Sequence, residues 1–274
     1  MPEGPEIRRT TDRLAAALVG RAVEELFFAF PTLKSFEKEL TDCEVTAVFP
    51  RAKAVLVQFD NGLTIYSHNQ LYGIWEVVAR GELPETKRQL RLALHTVEQS
   101  CLLYSASDIE VLDEEGVKRH PFLCRLGPDV LAEETDLEVI LDRYRADRFQ
   151  GRQVGSLLLE QGFLAGLGNY LRSEILFAAG VDPHARLRDL GAGQLRRLAR
   201  QTLKLTVQSY ETGGVTNELK RYRRLQKQGL SFHNARFRVF DREGEACYDC
   251  GERIERISVS SRRLYFCPTC QTGE

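Results

Sequence analysis

Four cysteines near the C-terminus constrain this chain more than any other feature. Two residues separate Cys247 from Cys250 and two separate Cys267 from Cys270, with sixteen residues between the pairs. That spacing matches a tetrahedral metal knuckle, and four thiolates make a closed structural zinc site with no open position for catalysis. Two disulfides are the alternative. Residues 1–20 carry Glu, Arg and Asp where a secretory leader would be apolar, so reduced thiols and one structural Zn2+ are expected. Ser260-Ser261-Arg262-Arg263, between the knuckles, should top a hairpin. Cys43, Cys101 and Cys124 are isolated and read as buried thiols.

The rest of the chain divides by hydrophobic period. Its 274 residues suffice for two domains with real cores. Short runs rich in β-branched and aromatic residues recur from Val23 to about Leu112: residues 23–30, 43–49, 54–59, 63–67, 74–78, 90–97 and 102–104. Asp60-Asn61-Gly62 joins two of them as a hairpin signal. Regular short strands predict a β-sandwich, flanked by the helix that Ile7, Leu14 and Leu18 imply. Residues 113–135 are dense in acidic residues, Gly and Pro and read as an interdomain linker. Helical spacing then appears over 137–144 and 153–161, over a segment ending at Gly180, and from Ala192 to Tyr210 with Leu195, Leu198 and Leu205 inward. The fold class is α+β. No apolar run reaches the length of a membrane span, and a cytoplasmic protein is expected.

Several stretches carry candidate chemistry. Removal of Met1 would leave Pro2 with a secondary amine, and an α-amino group titrates near ~8. The helix that follows would pin that amine beside Glu3 and Glu6, carboxylates able to manage protons; charged first turns are also common without function. Lys53, at the start of an apolar strand, reads on residue type alone as a solvated strand end. Gln70-Leu71-Tyr72 lies in a loop where an aliphatic beside an aromatic is ordinarily satellite core. Gly166-Leu167-Gly168-Asn169 feeds a helix N-terminus, whose outward N–H groups make a ready phosphate site. The formal net charge of −1 does not advertise nucleic-acid binding, yet Lys220, Arg221, Arg223, Arg224, Lys227, Arg236 and Arg238 accumulate locally. That run is either a solvated face or a surface for phosphates.

Pro2-Glu3-Gly4-Pro5-Glu6-Ile7 resembles the mature start of the formamidopyrimidine-DNA glycosylase and endonuclease VIII family. The resemblance returns at Lys53, at Gln70-Leu71-Tyr72-Gly73, at Gly166 to Glu174 and at the cysteine finger, and the loop wording is closest to endonuclease VIII. It implies a bifunctional DNA glycosylase and AP lyase of base excision repair, excising oxidised bases, pyrimidines preferred. Pro2 would form a Schiff base, Glu3 would manage protons at the sugar, and β,δ-elimination would cut the strand. Lys53 would take part in the chemistry and hold phosphate. Gln70, Leu71 and Tyr72 would fill the gap left by the flipped base, Asn169 and Arg262 would grip phosphates, and Glu6 would support the site. Implied domains are a catalytic β-sandwich over 1–126, a linker and first helix over 127–150, a helix–two turns–helix domain over 151–235 and a zinc finger over 236–274. Residues 215–235, which no motif anchors, should form a flexible lobe over the substrate. Damaged double-stranded DNA is the expected partner of a monomer with no membrane contact and no small-molecule cofactor, nucleoid-associated when bound. An oxidised-purine glycosylase, a lesion-binding protein that does not cut and a zinc-stabilised interaction module are the competing readings.

Overall fold

Alternating apolar residues between 25 and 112 build two four-stranded antiparallel sheets in the computed structural model, which describes residues 2–272. Met1, whose removal the proline reading requires, lies outside the described residues. One sheet has the order β2-β3-β4-β8, from Val45–Arg51, Ala54–Phe59, Thr64–His68 and Asp108–Leu112. The other has the order β1-β6-β7-β5, from Glu25–Phe28, Leu90–His95, Gln99–Tyr104 and Ile74–Ala79. Val55, Val57 and Phe59 of one sheet share a core with Leu92, Leu94 and Leu103 of the other, as the period of two requires. Helix α1 (Gly4–Leu18) adds Ile7, Leu14 and Leu18 to it. The predicted helix-flanked sandwich is therefore what forms.

Two short helices depart from the sequence reading of this half. Helix α2 (Ser35–Leu40) interrupts the strand series, and α3 (Glu114–Arg119) occupies the stretch read as linker. Asp113 caps α3 by accepting the Gly116 N–H at 2.6 Å. Of the three isolated cysteines only Cys101 is buried; Cys43 is half-buried and Cys124 exposed.

The chain partitions into two compact units, with Glu3–Pro5 and Leu126–Glu274 in the second. Its helices are α4 (Leu137–Arg145), α5 (Val154–Leu157), α6 (Asn169–Ala179), α7 (Ala192–Thr212), α8 (Leu219–Lys227), α9 (Phe232–Ala235) and α10 (Pro268–Gln271). Gly180 and Gly213 end α6 and α7 in the left-handed region, at φ 63° and 73°. The helix expected over 153–161 shrinks to the single turn of α5. Gly155 donates to the Pro183 carbonyl at 3.0 Å, and after Leu158 the chain closes i to i+3 turns instead of continuing. Residues 215–235, expected as a flexible lobe, contain α8 and α9. Asn217, fully buried, ties their base down by donating to the Ala235 and Phe237 carbonyls at 2.9 and 3.2 Å.

Helix α6 is buried along nearly its whole length, so its polar side chains must find partners inside. Glu174 accepts N–H groups from Arg238, Val239 and Phe240 at 2.8–3.1 Å and the Thr216 hydroxyl at 2.7 Å. Its carboxylate thereby fixes the turn leading into the finger. Glu174→Ala should cost the C-terminal unit roughly 3 kcal/mol, because several buried donors lose their acceptor at once. Urea unfolding of the full chain checks this; an unchanged midpoint would show that other acceptors take over.

Candidate active site

The glycine pair of Gly166-Leu167-Gly168-Asn169 has a specific structural purpose. Gly166 sits at φ 91°, and its carbonyl accepts the Gly4 N–H at 2.7 Å. A Cβ on Gly168 would lie 2.4 Å from the carboxyl carbon of Glu3. With no side chain there, the Glu3 carboxylate reaches the first turn of α6 and accepts the N–H groups of Tyr170 at 2.8 Å and Leu171 at 3.3 Å. This corrects the sequence reading of that helix end as a ready phosphate site. The anion that the helix N-terminus selects is carried by the chain itself. Glu3 is only 2% exposed, and Pro2 precedes it by one peptide bond. Glu6 lies in the first turn of α1, half-buried.

Asn169 and Arg262 are brought together by a residue the sequence reading did not single out. Arg172, wholly buried, donates to the Asn169 Oδ1 at 2.7 Å and to the carbonyls of Gly155, Val259 and Arg263 at 3.0–3.3 Å. Gly155 belongs to α5, whereas the Val259 and Arg263 carbonyls flank the tip of the hairpin between β9 (Glu255–Val259) and β10 (Arg262–Phe266). Ser260 and Ser261 both adopt positive φ, 52° and 58°, the requirement of a tight two-residue turn, so Arg262 opens β10 opposite Val259. Burial pulls the Arg172 guanidinium down to about 10, Glu3 opposes that pull and Arg262 adds to it. It therefore remains a cation at neutral pH. With Asn169 Oδ1 engaged by Arg172, the amide of Asn169 presents its NH2 group elsewhere. A cation at i+3 from the asparagine, in a helix with no other basic residue, was the signal that could have exposed Arg172.

Lys53 and the Gln70-Leu71-Tyr72 loop belong to the N-terminal unit. Lys53 stands with Ala52, at φ 58°, in the two-residue turn between β2 and β3, and is 7% exposed, which overturns its reading as a solvated strand end. The loop joining β4 to β5 does the reverse of satellite core: Leu71 is 55% exposed and Tyr72 70%. The basic run is divided. Arg221 pairs with Asp249 at 2.6 Å and covers the Tyr248 ring, Arg238 pairs with Glu218, and Arg236 stacks on Phe237. Lys220, Arg223, Arg224 and Lys227 face solvent from α8.

The four finger cysteines converge. Cys247 Sγ is 3.9 Å from Cys270 Sγ, Cys250 Sγ is 3.4 Å from Cys267 Sγ, and all four sulfurs lie within 4.8 Å of one another. Ligands held about 2.3 Å from a tetrahedral zinc stand about 3.8 Å apart. None of the four forms a disulfide. The cluster fits one structural zinc, which would clamp the turn at Cys247–Cys250 onto the end of β10.

Three family models match the chain: the formamidopyrimidine-DNA glycosylase N-terminal domain over residues 1–107, its H2TH domain over 126–220, and the zinc finger found in FPG and IleRS over 244–273. Proteins called endonuclease 8 from Escherichia coli and Shigella flexneri are each 50% identical over 271 residues, covering 99% of this chain and 100% of theirs. Among solved structures, Lactococcus lactis formamidopyrimidine-DNA glycosylase bound to DNA with an abasic site superposes with a TM-score of 0.79 at 21% identity. MutM in complex with DNA containing carbocyclic 8-oxo-G gives 0.80 at 21%, each match covering 99% of this chain and 100% of the other. At that identity the two structures speak for the fold, and the half-identical relatives for the lineage. The chain belongs to the formamidopyrimidine-DNA glycosylase and endonuclease 8 family, the base excision repair enzymes that combine DNA glycosylase and AP lyase activities.

Proposed function

We propose that this enzyme excises oxidised bases, pyrimidines preferentially, from double-stranded DNA through a Schiff base on Pro2. The observation that carries the reading is the anchoring of Glu3 on α6, which fixes the backbone immediately after the candidate nucleophile. Once Met1 is removed, the Pro2 nitrogen attacks C1′ of a flipped nucleotide, the glycosidic bond breaks and the base departs with a proton. Glu3 manages the proton on the sugar oxygen as the ring opens. The resulting iminium acidifies C2′–H, whose loss as a proton expels the 3′ phosphate; loss of the C4′ proton from the conjugated iminium then expels the 5′ phosphate, which is β,δ-elimination.

The remaining roles rest on position and charge. Lys53 holds phosphate and assists the chemistry, and Gln70, Leu71 and Tyr72 fill the gap left by the base, a task for which exposed apolar surface is suited. Asn169 offers its NH2 group and Arg262 its guanidinium to phosphates. Arg262 lies close enough to depress the Arg172 pKa, so two cations share one neighbourhood that an anion would relieve. Glu6 supports the first turn of α1. Pyrimidine preference rests on the likeness of the Gln70-Leu71-Tyr72-Gly73 wording to endonuclease VIII, with oxidised purines as the competing substrate class. No helix among the described residues is long and apolar enough to cross a membrane. A cytoplasmic monomer, nucleoid-associated when bound to DNA, completes the reading.

Borohydride added during turnover should reduce the iminium and tether the protein to damaged DNA, with peptide mapping placing the adduct on Pro2. An adduct on Lys53, or full activity in protein carrying an N-terminal tag, would refute the nucleophile. Gly168→Ala should reduce base excision by at least about tenfold, since its Cβ must displace the Glu3 carboxylate from α6. Incision of matched duplexes with an oxidised thymine, an oxidised guanine or an abasic site tests the substrate preference; faster cutting at oxidised guanine reverses it. Metal analysis of reduced protein should find about one zinc per chain, and Cys250→Ser should abolish DNA cleavage while the β-sandwich survives.

A further inference from the structure

The β4–β5 loop is not held by its apolar residues, which face solvent, but by polar contacts at its base. Gln70 adopts φ 49°, a left-handed conformation that residues other than glycine enter at a cost. The turn is tight, for the Gly73 N–H donates to the Asn69 carbonyl at 2.8 Å and a Cβ on Gly73 would meet the Asn69 oxygen at 2.7 Å. Where the backbone turns, the N–H of Gln70 points back and donates to Nδ1 of His68 at 3.1 Å. This is an i to i+2 contact of the kind that Asn and Asp make when they organise turns. Two further tethers act later in the loop: Ser107 donates its hydroxyl to Gln70 Oε1 at 2.9 Å, and Arg88 donates to the Tyr72 carbonyl.

His68 is well placed to serve as an anchor. It ends β4, paired with Ala54 of β3 on one side and Asp108 of β8 on the other. Its ring rests edge-on against Phe122, with centroids 5.4 Å apart. Burial lowers its pKa, Asp108 opposes that shift and the Lys53 ammonium adds to it, so the net direction favours the neutral ring. A neutral ring with its proton on Nε2 leaves Nδ1 as an acceptor.

We propose that His68 is the positioning residue of the wedge, its Nδ1 holding the Gln70 N–H so that Leu71 and Tyr72 stand out of the sheet before DNA arrives. The inference rests on the reading of Gln70-Leu71-Tyr72 as the wedge. Preassembly matters because a loop that must be ordered during binding charges that ordering against the insertion step.

Two substitutions separate the ring nitrogens. Asn places an acceptor where Nδ1 stands, whereas the longer Gln places its polar atoms near Nε2. Exchange of the Gln70 amide, read by NMR on the full chain, should be slow in wild type and His68→Asn and at least about fivefold faster in His68→Gln and His68→Ala. The ratio of duplex base excision to cutting at a preformed abasic site should follow the same order, falling about fivefold in the Gln and Ala variants and less than about twofold in Asn. Unchanged amide exchange in His68→Ala would overturn the proposal. So would the reverse order, with Gln near wild type and Asn impaired, because the function would then reside in Nε2. Leu71→Ala is the independent control. If it leaves the excision ratio unaltered the wedge reading fails, and the amide exchange still decides whether His68 holds the loop.

Discussion

The seating of the Glu3 carboxylate on the first turn of α6 is the contact on which the candidate active site depends. It needs three glycines at once: Gly4 close to the Gly166 carbonyl, Gly166 at positive φ, and Gly168 with no side chain in the path of the carboxylate. A helix N-terminus presents unsatisfied N–H groups and a positive end of its dipole. Filling it with a carboxylate from the start of the chain satisfies those donors and locates residue 3 in space. Pro2 is then one rigid peptide unit away, which restricts its amine far more than a surface helix could.

The same helix distributes order in two other directions. Arg172 faces carbonyl groups and Glu174 faces N–H groups, so each buried charge is met by backbone partners of the opposite polarity. Burying either charge carries a desolvation penalty of several kcal/mol, which only good geometry offsets. Apolar residues of similar volume could fill the space and still leave the hairpin tip and the segment at 238–240 free to slide. What the charges contribute is register: they set where Arg262 and the finger stand relative to Asn169. This explains how an exposed hairpin residue can keep a defined place beside a helix.

Legibility in the sequence tracked the range of the interaction. β3 emerged over the same residues that its β-branched run predicted, and α6 ended at the glycine expected to stop it, because composition and stop signals are local. The zinc cluster was legible because a metal site imposes its spacing on the chain. Helices α2, α3 and α5 were missed or misjudged, being too short for a period to show. The filling of the α6 N-terminus was out of reach for a different reason. Glu3 and Tyr170 are 167 positions apart, and a helix end looks the same in sequence whether a phosphate or a carboxylate will occupy it. Arg172 and Glu174 are likewise opaque in the sequence, since most of their partners are backbone atoms of distant segments.

Charge shows how a local reading can leave alternatives open. Seven cations between 220 and 238 read as either a solvated face or a surface for phosphates, and Arg221, Arg236 and Arg238 are engaged with Asp249, aromatic rings and Glu218. The solvent-facing remainder on α8 is Lys220, Arg223, Arg224 and Lys227. Each phosphate neutralised contributes about 0.9 to the slope of affinity against salt, so a few exposed cations on a chain of net charge −1 give only modest non-specific attraction. For a glycosylase that must leave undamaged DNA quickly, that is an advantage. On the proposed wedge reading, discrimination falls to contacts made at the lesion itself, where exposed Leu71 and Tyr72 would gain only if a base has left the stack. Their worth depends on being held in place beforehand, which returns the problem from charge to the backbone geometry of one short loop.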